Sequence, residues 1–376
     1  MTAKFKTSLL CLLLLASFSL PGRAEETPIS FSGLTYPIKL GLPASDKDGS
    51  IIFETPFSEA PEADYDTVLM QGEMPDPGIR LDLVLKSESF FSAPASYRSD
   101  GFRRFPNGRF WARFRVPLSR LPLKISVVNS GSRAASSLTL YETDLVRTSE
   151  DREEGVEQST VAYVPDPELF LPEPAPFKLI RRAGWNAAPP TAPYTQHEPQ
   201  YFTLHHTQAH YPENYERAVQ EMQFIQDFHQ NGRGWIDIAY HFLIDPAGNI
   251  FEGRPIKVLG AHVKNYNTSN IGVSIMGSYH PPTHDIFTPA ARDSFISVGR
   301  YLKETYEVPA DRFYAHRDLG RTDCPGDDLY AEKDSLRRLI FTPQITGLPL
   351  SPGETPATTP AQERSLRQLI KYLGGS

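Results

Sequence analysis

A proline-dense stretch divides this 376-residue chain into two parts that cannot share one kind of fold. Pro165, Pro167, Pro172, Pro174 and Pro176 are followed by Pro189, Pro190 and Pro193. Proline fixes its own φ and pushes the preceding residue towards extended conformations. Residues 166–195 therefore read as a semi-rigid connector, not as helix or central strand. The length on either side suits two ordinary domains. Histidine marks the same division: all ten lie between His197 and His316, and the first 196 residues hold none.

Ahead of the connector, residues 25–165 carry period-2 patterns. Leu81 to Leu85 alternates, and so does Phe110 to Val116. The second run follows Pro106-Asn107-Gly108, a turn signal that predicts a hairpin. Ile125 to Val128 and Leu138 to Tyr141 add short strands, and no helix-period stretch of useful length intervenes. These patterns predict an all-β, sandwich-like accessory domain. We read it as a targeting or interaction module. Trp111 is either a platform for a sugar ring or ordinary sheet packing, and the second reading is favoured.

Beyond the connector, strands and helices are mixed. Tyr201 to Leu204 is a short strand ending on His205 and His206, and Asn214 to His229 has an approximate helical stripe of Val219, Met222, Ile225 and Phe228. Tyr240 to Ile244 and Ile250 to Glu252 flank the turn Asp245-Pro246-Ala247-Gly248-Asn249. Ile271 to Met276 is a further strand, and Thr288-Pro289 caps a helix running through Tyr306. Phe313-Tyr314-Ala315 leads into His316. The order predicts an α/β fold, a mixed central sheet with flanking helices.

Both ends read as separate segments. Residues 1–24 have a Lys4/Lys6 start, an apolar Leu9 to Leu15 core and a small-residue site at Gly22-Arg23-Ala24, the pattern of a signal peptide. The expected location is therefore the periplasm or the exterior. Residues 343–376 form a Pro/Thr-rich tail with a short helical candidate at Ser365 to Leu373. Without its leader the chain loses three cations and no acids, so formal charge goes from −7 to −10. That balance argues against nucleic acid or anionic lipid as the main partner. No run after the leader is long and apolar enough for a transmembrane helix.

Cys11 lies in the leader, which leaves Cys324 alone in the mature chain. A lone thiol in an exported protein is inert, reactive or a metal ligand. His205 at a strand end, His316 after another strand and Cys324 eight residues later could supply two imidazoles and one thiolate. Three protein ligands with an open fourth position is the pattern of catalytic zinc. Such an ion lowers the pKa of bound water to about 7. Each ligand taken singly has a plainer reading, as a structural or solvated histidine or a small buried hydrophobe. Spacing alone does not decide between them.

The flanking words do. Leu204-His205-His206-Thr207, Gly234 to Ile244, Glu252-Gly253-Arg254, Gly260-Ala261-His262, Asn267 to Gly277, and Ala315-His316-Arg317 through Cys324-Pro325-Gly326-Asp327 occur in that order. Together they resemble the peptidoglycan recognition protein family, also called the type 2 N-acetylmuramoyl-L-alanine amidase family. The resemblance runs from about Leu179 to about Ile340, within a zinc amidase domain over 179–342, and leaves 25–165 uncovered. It implies hydrolysis of the amide between N-acetylmuramic acid and L-alanine of the stem peptide by zinc-activated water. By motif, it implies Zn2+ held by His205, His316 and Cys324. It also implies Tyr240 as an oxyanion donor and Thr322 near the scissile carbonyl. His206, His229, Arg233, His262 and Asn267 fall at groove positions for peptidoglycan or muropeptides, although a solvated helix end remains an equal reading for His229 and Arg233. No carboxylate in the motifs stands out as general base. Members lacking the cysteine are usually binding proteins, so a muropeptide recognition protein without turnover is the alternative. A purely structural zinc is a third reading. Family members from animals commonly carry a disulfide near the groove, and this chain has no cysteine pair for one.

Overall fold

The computed structural model describes residues 29–87, 93–149, 151 and 163–342. The expected leader and tail, with the helix at 365–373, lie outside the described residues.

Nine described strands build the N-terminal part. They are β1 (Ile38–Leu42), β2 (Ile51–Glu54), β3 (Tyr65–Glu73), β4 (Ile79–Leu85), β5 (Ala95–Arg98), β6 (Gly101–Arg104), β7 (Arg109–Ser119), β8 (Leu123–Asn129) and β9 (Ser136–Val146). One sheet has the order β1-β9-β3-β7-β6 and the other β2-β8-β4-β5, with every pairing antiparallel. Val68, Met70, Phe110 and Phe114 of the first sheet meet Leu81, Leu83, Ile125 and Val127 of the second in one core. The expected hairpin joins β6 to β7. Gly108 sits at φ +86, and Asn107 Oδ1 accepts a 3.1 Å bond from Arg109 N–H.

The second part is a mixed sheet of β10 (Leu179–Ile180), β11 (Tyr201–His206), β12 (Phe242–Ile244), β13 (Ile250–Glu252), β14 (Asn270–Ile275) and β15 (Phe313–Ala315). Its order is β10-β13-β12-β14-β11-β15, and β11 runs parallel to both neighbours. Helices α1 (Tyr215–Asp227), α2 (Pro289–Thr305), α3 (His316–Leu319) and α4 (Asp327–Phe341) accompany it. The Asn214 and Thr288 side chains cap α1 and α2 by accepting from Arg217 N–H and Ala291 N–H. Phe295, Val298 and Leu302 of α2 and Leu336 and Ile340 of α4 pack on Phe202, Leu204, Phe242 and Ile244. No helix among the described residues is long and apolar enough to cross a membrane.

Two differences from the sequence reading concern helices. The α-helical hydrogen bonding of α1 stops at Asp227, and Phe228–Arg233 continues as a wider π-turn ending at Gly234, φ +83. Helix α4 was not anticipated. Its buried Leu329, Leu336 and Ile340 are a sparse apolar stripe following Pro325-Gly326.

The two parts share a core. Helix α1 packs on the sheet through Ala218, Met222 and Ile225, and the same cluster takes in Leu69, Trp111 and Val146 of the β-sandwich. Arg109 Nε and Nη2 donate to both carboxylate oxygens of Glu221 at 3.0 Å, with side-chain exposures of 1% and 0%. Asp227 accepts from Trp111 Nε1 at 2.7 Å and also pairs with Arg103. Trp111 is therefore no exposed sugar platform. It is packing, and what it packs against is the other domain. The sandwich, read from sequence as a targeting or interaction module, is docked along a buried seam.

Candidate functional site

His205 and His316 lie 111 positions apart and meet through strand register. In the parallel pair of β11 and β15, Leu204 stands opposite Ala315, so the next residue on each chain is a histidine at a strand's C-terminal end. Carboxyl ends of parallel strands are where α/β sheets place ligands. The segment after His316 turns back on itself, closed at its base by a 3.0 Å bond from Arg317 N–H to Cys324 C=O. This brings Cys324 to the pair. One ligand atom from each of His205, His316 and Cys324 lies within 4.8 Å of the others.

The chemistry of these donors fits a zinc ion. His205 Nδ1 and Cys324 Sγ are 3.5 Å apart. A tetrahedral ion with bonds of about 2.0 Å to nitrogen and 2.3 Å to sulfur needs them about 3.5 Å apart. Burial holds His205 well below the usual imidazole range, with the neighbouring His316 adding to it, and burial brings His316 to about 4. Both rings are thus neutral, the form that binds metal. Burial also pushes the Cys324 thiol up to about 12, so an ion here must displace its proton to gain the thiolate. His206 N–H points at Sγ at 3.5 Å, ready to support that charge.

The tautomer of His205 follows from its neighbours. His262 Nε2 lies 3.1 Å from the Asn270 carbonyl, an acceptor only, so this nitrogen carries the hydrogen. Burial lowers His262 to about 3, leaving its Nδ1 bare. Nδ1 is 3.0 Å from His205 Nε2, which must then donate. His205 is left with a bare Nδ1 aimed at Cys324. A metal-binding histidine oriented through its second nitrogen is the usual arrangement. The ring of His262 fits only because two neighbours lack side chains. A Cβ on Gly260 or Gly272 would sit 2.5 or 2.6 Å from its Cδ2.

The triad opens into a cleft of about 640 Å³, within the range of small-molecule sites. Tyr240, His229, Trp235 and Thr322 line it, and the Tyr240 ring centroid is 5.3 Å from that of His205.

Residues 195–327, all within the second domain, match the N-acetylmuramoyl-L-alanine amidase family. Peptidoglycan-recognition protein SC2 of Drosophila melanogaster is 35% identical over 132 residues, covering 35% of this chain and 71% of that one. Peptidoglycan-recognition protein LB of the same organism is 31% identical over 195 residues, covering 49% of this chain and 76% of that one. The human N-acetylmuramoyl-L-alanine amidase is 35% identical over 171 residues, covering 43% of this chain and 28% of that one. The chain belongs to the peptidoglycan recognition protein family.

The positions inferred from family motifs can now be placed. His206, His229, Arg233, Tyr240, His262, Asn267 and Thr322 line the cleft, together with His316 and Cys324, while His205 sits buried behind them. His206 Nδ1 accepts from Tyr279 N–H at 3.3 Å, while its buried Nε2 has no hydrogen-bond partner. His229 is buried, its Nδ1 accepting from Ala239 N–H at 3.1 Å, so the second nitrogen keeps the hydrogen. Asn267 Oδ1 accepts from both His262 N–H and Val263 N–H at 2.8 Å, which explains the five-residue separation. Thr322 Oγ1 accepts from Cys324 N–H at 3.2 Å and shapes the turn into the thiol. Arg233 is no solvated helix end. Its guanidinium is buried against Asp144 of the sandwich, with Asp151 3.8 Å away.

Sequence reading missed part of the wall. Gln71, Glu142, Ser149 and Asp151 come from the sandwich and face the same cleft. No motif covers them. The only signal was the polar positions Gln71, Glu73, Glu142 and Asp144 on the outer faces of β3 and β9, which alternation assigns to solvent.

Proposed function

We propose that this protein is an exported, zinc-dependent N-acetylmuramoyl-L-alanine amidase that cleaves the amide between N-acetylmuramic acid and L-alanine of the peptidoglycan stem peptide. Family membership bounds the function to peptidoglycan binding or amide hydrolysis. The observation that carries the narrower reading is the donor set: two neutral imidazoles, one with its tautomer fixed, and a thiol at 3.5 Å, opening on a cleft. A fixed tautomer that leaves His205 Nδ1 bare beside Cys324 supports metal binding at the end of β11. The leader-like residues 1–24 support export to the periplasm or beyond.

When bound, zinc supplies an activated water and a Lewis acid for the scissile carbonyl. His205, His316 and Cys324 would hold it. Tyr240 stands beside His205, where its phenol donates to the oxygen that gains charge as the carbonyl becomes tetrahedral. Thr322 spends its lone pair on Cys324 N–H and keeps its own hydrogen for a substrate oxygen. His206 Nε2 and the second nitrogen of His229 offer buried N–H groups to acceptors of the stem peptide or sugar. His262 acts through His205, and Asn267 holds the backbone that carries His262. Arg233 contributes positive charge to the cleft wall while remaining paired with Asp144.

The decisive experiment is release of free stem peptide from purified peptidoglycan by zinc-loaded protein, followed by mass analysis, with and without a chelator. Release that stops on chelation is the expected result. Binding without release by metal-loaded protein would sink the enzyme and leave the receptor.

A further inference from the structure

Glu142 belongs to the β-sandwich, not to the amidase domain, yet it lines the cleft with His206, Phe224 and Tyr240. It is partly exposed there. On the sheet it stands directly opposite Gln71, and its Oε2 accepts from Gln71 Nε2 at 2.8 Å. Oε1 takes no hydrogen bond among the described residues.

What distinguishes Glu142 from a solvated surface glutamate is how it is held. Gln71 is buried, and its Oε1 accepts from Arg109 Nη2 at 3.1 Å. Arg109 is in turn fixed by both oxygens of Glu221 on α1 and by the Gly72 carbonyl at 3.0 Å. A chain of bonds therefore runs from a fully buried ion pair at the domain seam to a carboxylate at the cleft. A binding group supported by a rigid second layer is preorganised, and loses little freedom when it meets its ligand. Gln71 donates to one oxygen and leaves the other without a hydrogen bond among the described residues.

We propose that Glu142 is a specificity-determining residue of the cleft, accepting a hydrogen bond from an N–H or O–H donor of the bound muropeptide through Oε1. The sandwich is then a wall of the substrate site. This rests on the reading of the cleft as a peptidoglycan site, but not on turnover.

The test uses full-length protein stripped of metal with a chelator, so that nothing is hydrolysed. The probe is a soluble N-acetylmuramyl tripeptide ending in a diamino acid, titrated by calorimetry. Glu142→Ala should weaken binding about 10- to 100-fold, the range for one hydrogen bond to a charged group. Glu142→Gln, isosteric and still able to face Gln71, guards against misfolding, and its Tm should match the wild type. A second arm uses the same probe with its side-chain amine acetylated. Loss of the Glu142 effect in that arm assigns the donor to the ammonium. Persistence assigns it to a sugar hydroxyl or a peptide N–H. Kd values within twofold of wild type for both variants and both probes would overturn the proposal. Wild-type protein that releases stem peptide when zinc-loaded, with Glu142 neutral to binding, defeats this inference alone. Glu142-dependent binding without release defeats only the amidase reading.

Discussion

The six-stranded sheet places its reactive polar groups at strand ends, whereas the five-stranded sheet of the sandwich buries polar groups across the middle of a face. On β11 the imidazole of His205 sits where parallel strands terminate, next to His316 and Cys324. On β3 and β9 the residues Gln71 and Asp144 lie within the strands, Arg109 opens β7 beside them, and each pairs with α1, with the π-turn after it, or with a neighbour on the sheet. The first arrangement leaves donors open for a ligand. The second turns Gln71, Arg109 and Asp144 against protein. Buried polarity at a strand end means chemistry here, and buried polarity on a sheet face means docking.

Substitutions at the two places should therefore fail differently. The largest expected effect is Cys324→Ser, which should abolish stem-peptide release while leaving the Tm of metal-free protein near that of wild type. A large drop in Tm would mean that the strand end is structural after all. Arg109→Ala should do the reverse in kind. It leaves the carboxylate of Glu221 buried and unpaired, and breaking such a pair costs about 3–5 kcal/mol, readable by urea denaturation. Stability unchanged to within measurement would dissolve the docking side of the comparison. Tyr240→Phe should lower kcat about 100-fold or more, the cost of one oxyanion donor, with KM little changed. Full activity would show that the Tyr240 hydroxyl does not serve as an oxyanion donor.

Acid is the gentlest probe. His241 is buried and His197 half-buried, and both rings have both nitrogens engaged. His197 Nδ1 accepts from Ser269 N–H, and His241 donates to the Val258 carbonyl while accepting from Gly272 N–H. Burial takes His197 down to about 4 and His241 well below the usual range. Below pH of about 6.5 the unfolded chain binds protons that the native state refuses, so stability falls as pH falls. The slope should approach about 1.4 kcal/mol per pH unit for each such histidine. A flat stability profile between pH 6.5 and 5 would show that these rings are charged when folded.

Most of the amidase domain was legible because its signals are local. Thr288-Pro289 starts a helix, Tyr201 to His206 is a strand, and the motif words carry the ligands in order. The pairing of His205 with His316 was anticipated only through resemblance, since spacing cannot give strand register. The sandwich was legible in its inward face, where Leu81, Leu83, Phe110 and Phe114 alternate with polar residues. Its outward face was not. Alternation says that Gln71, Arg109 and Asp144 point away from one core and is silent about a second body waiting there. The same silence hid Glu142, and turned Trp111 from interdomain packing into a candidate sugar platform. Helix α4 was missed for a smaller reason, since its buried Leu329, Leu336 and Ile340 leave six positions between the first two and do not form a regular stripe.

Helix α1 lies between the six-stranded sheet and the sandwich, with buried contacts on both sides. In most multidomain enzymes a proline-rich joint marks the place where a protein engineer cuts. Here the joint is a poor guide, because the units it links in sequence have a helix in common. Exchange of the second domain for another body at residues 166–195 would remove α1 itself and uncover Leu69, Trp111 and Val146 of the sandwich. Retargeting this protein is better attempted by fusion outside residues 29–342, with the sandwich and the second domain inherited as a single part.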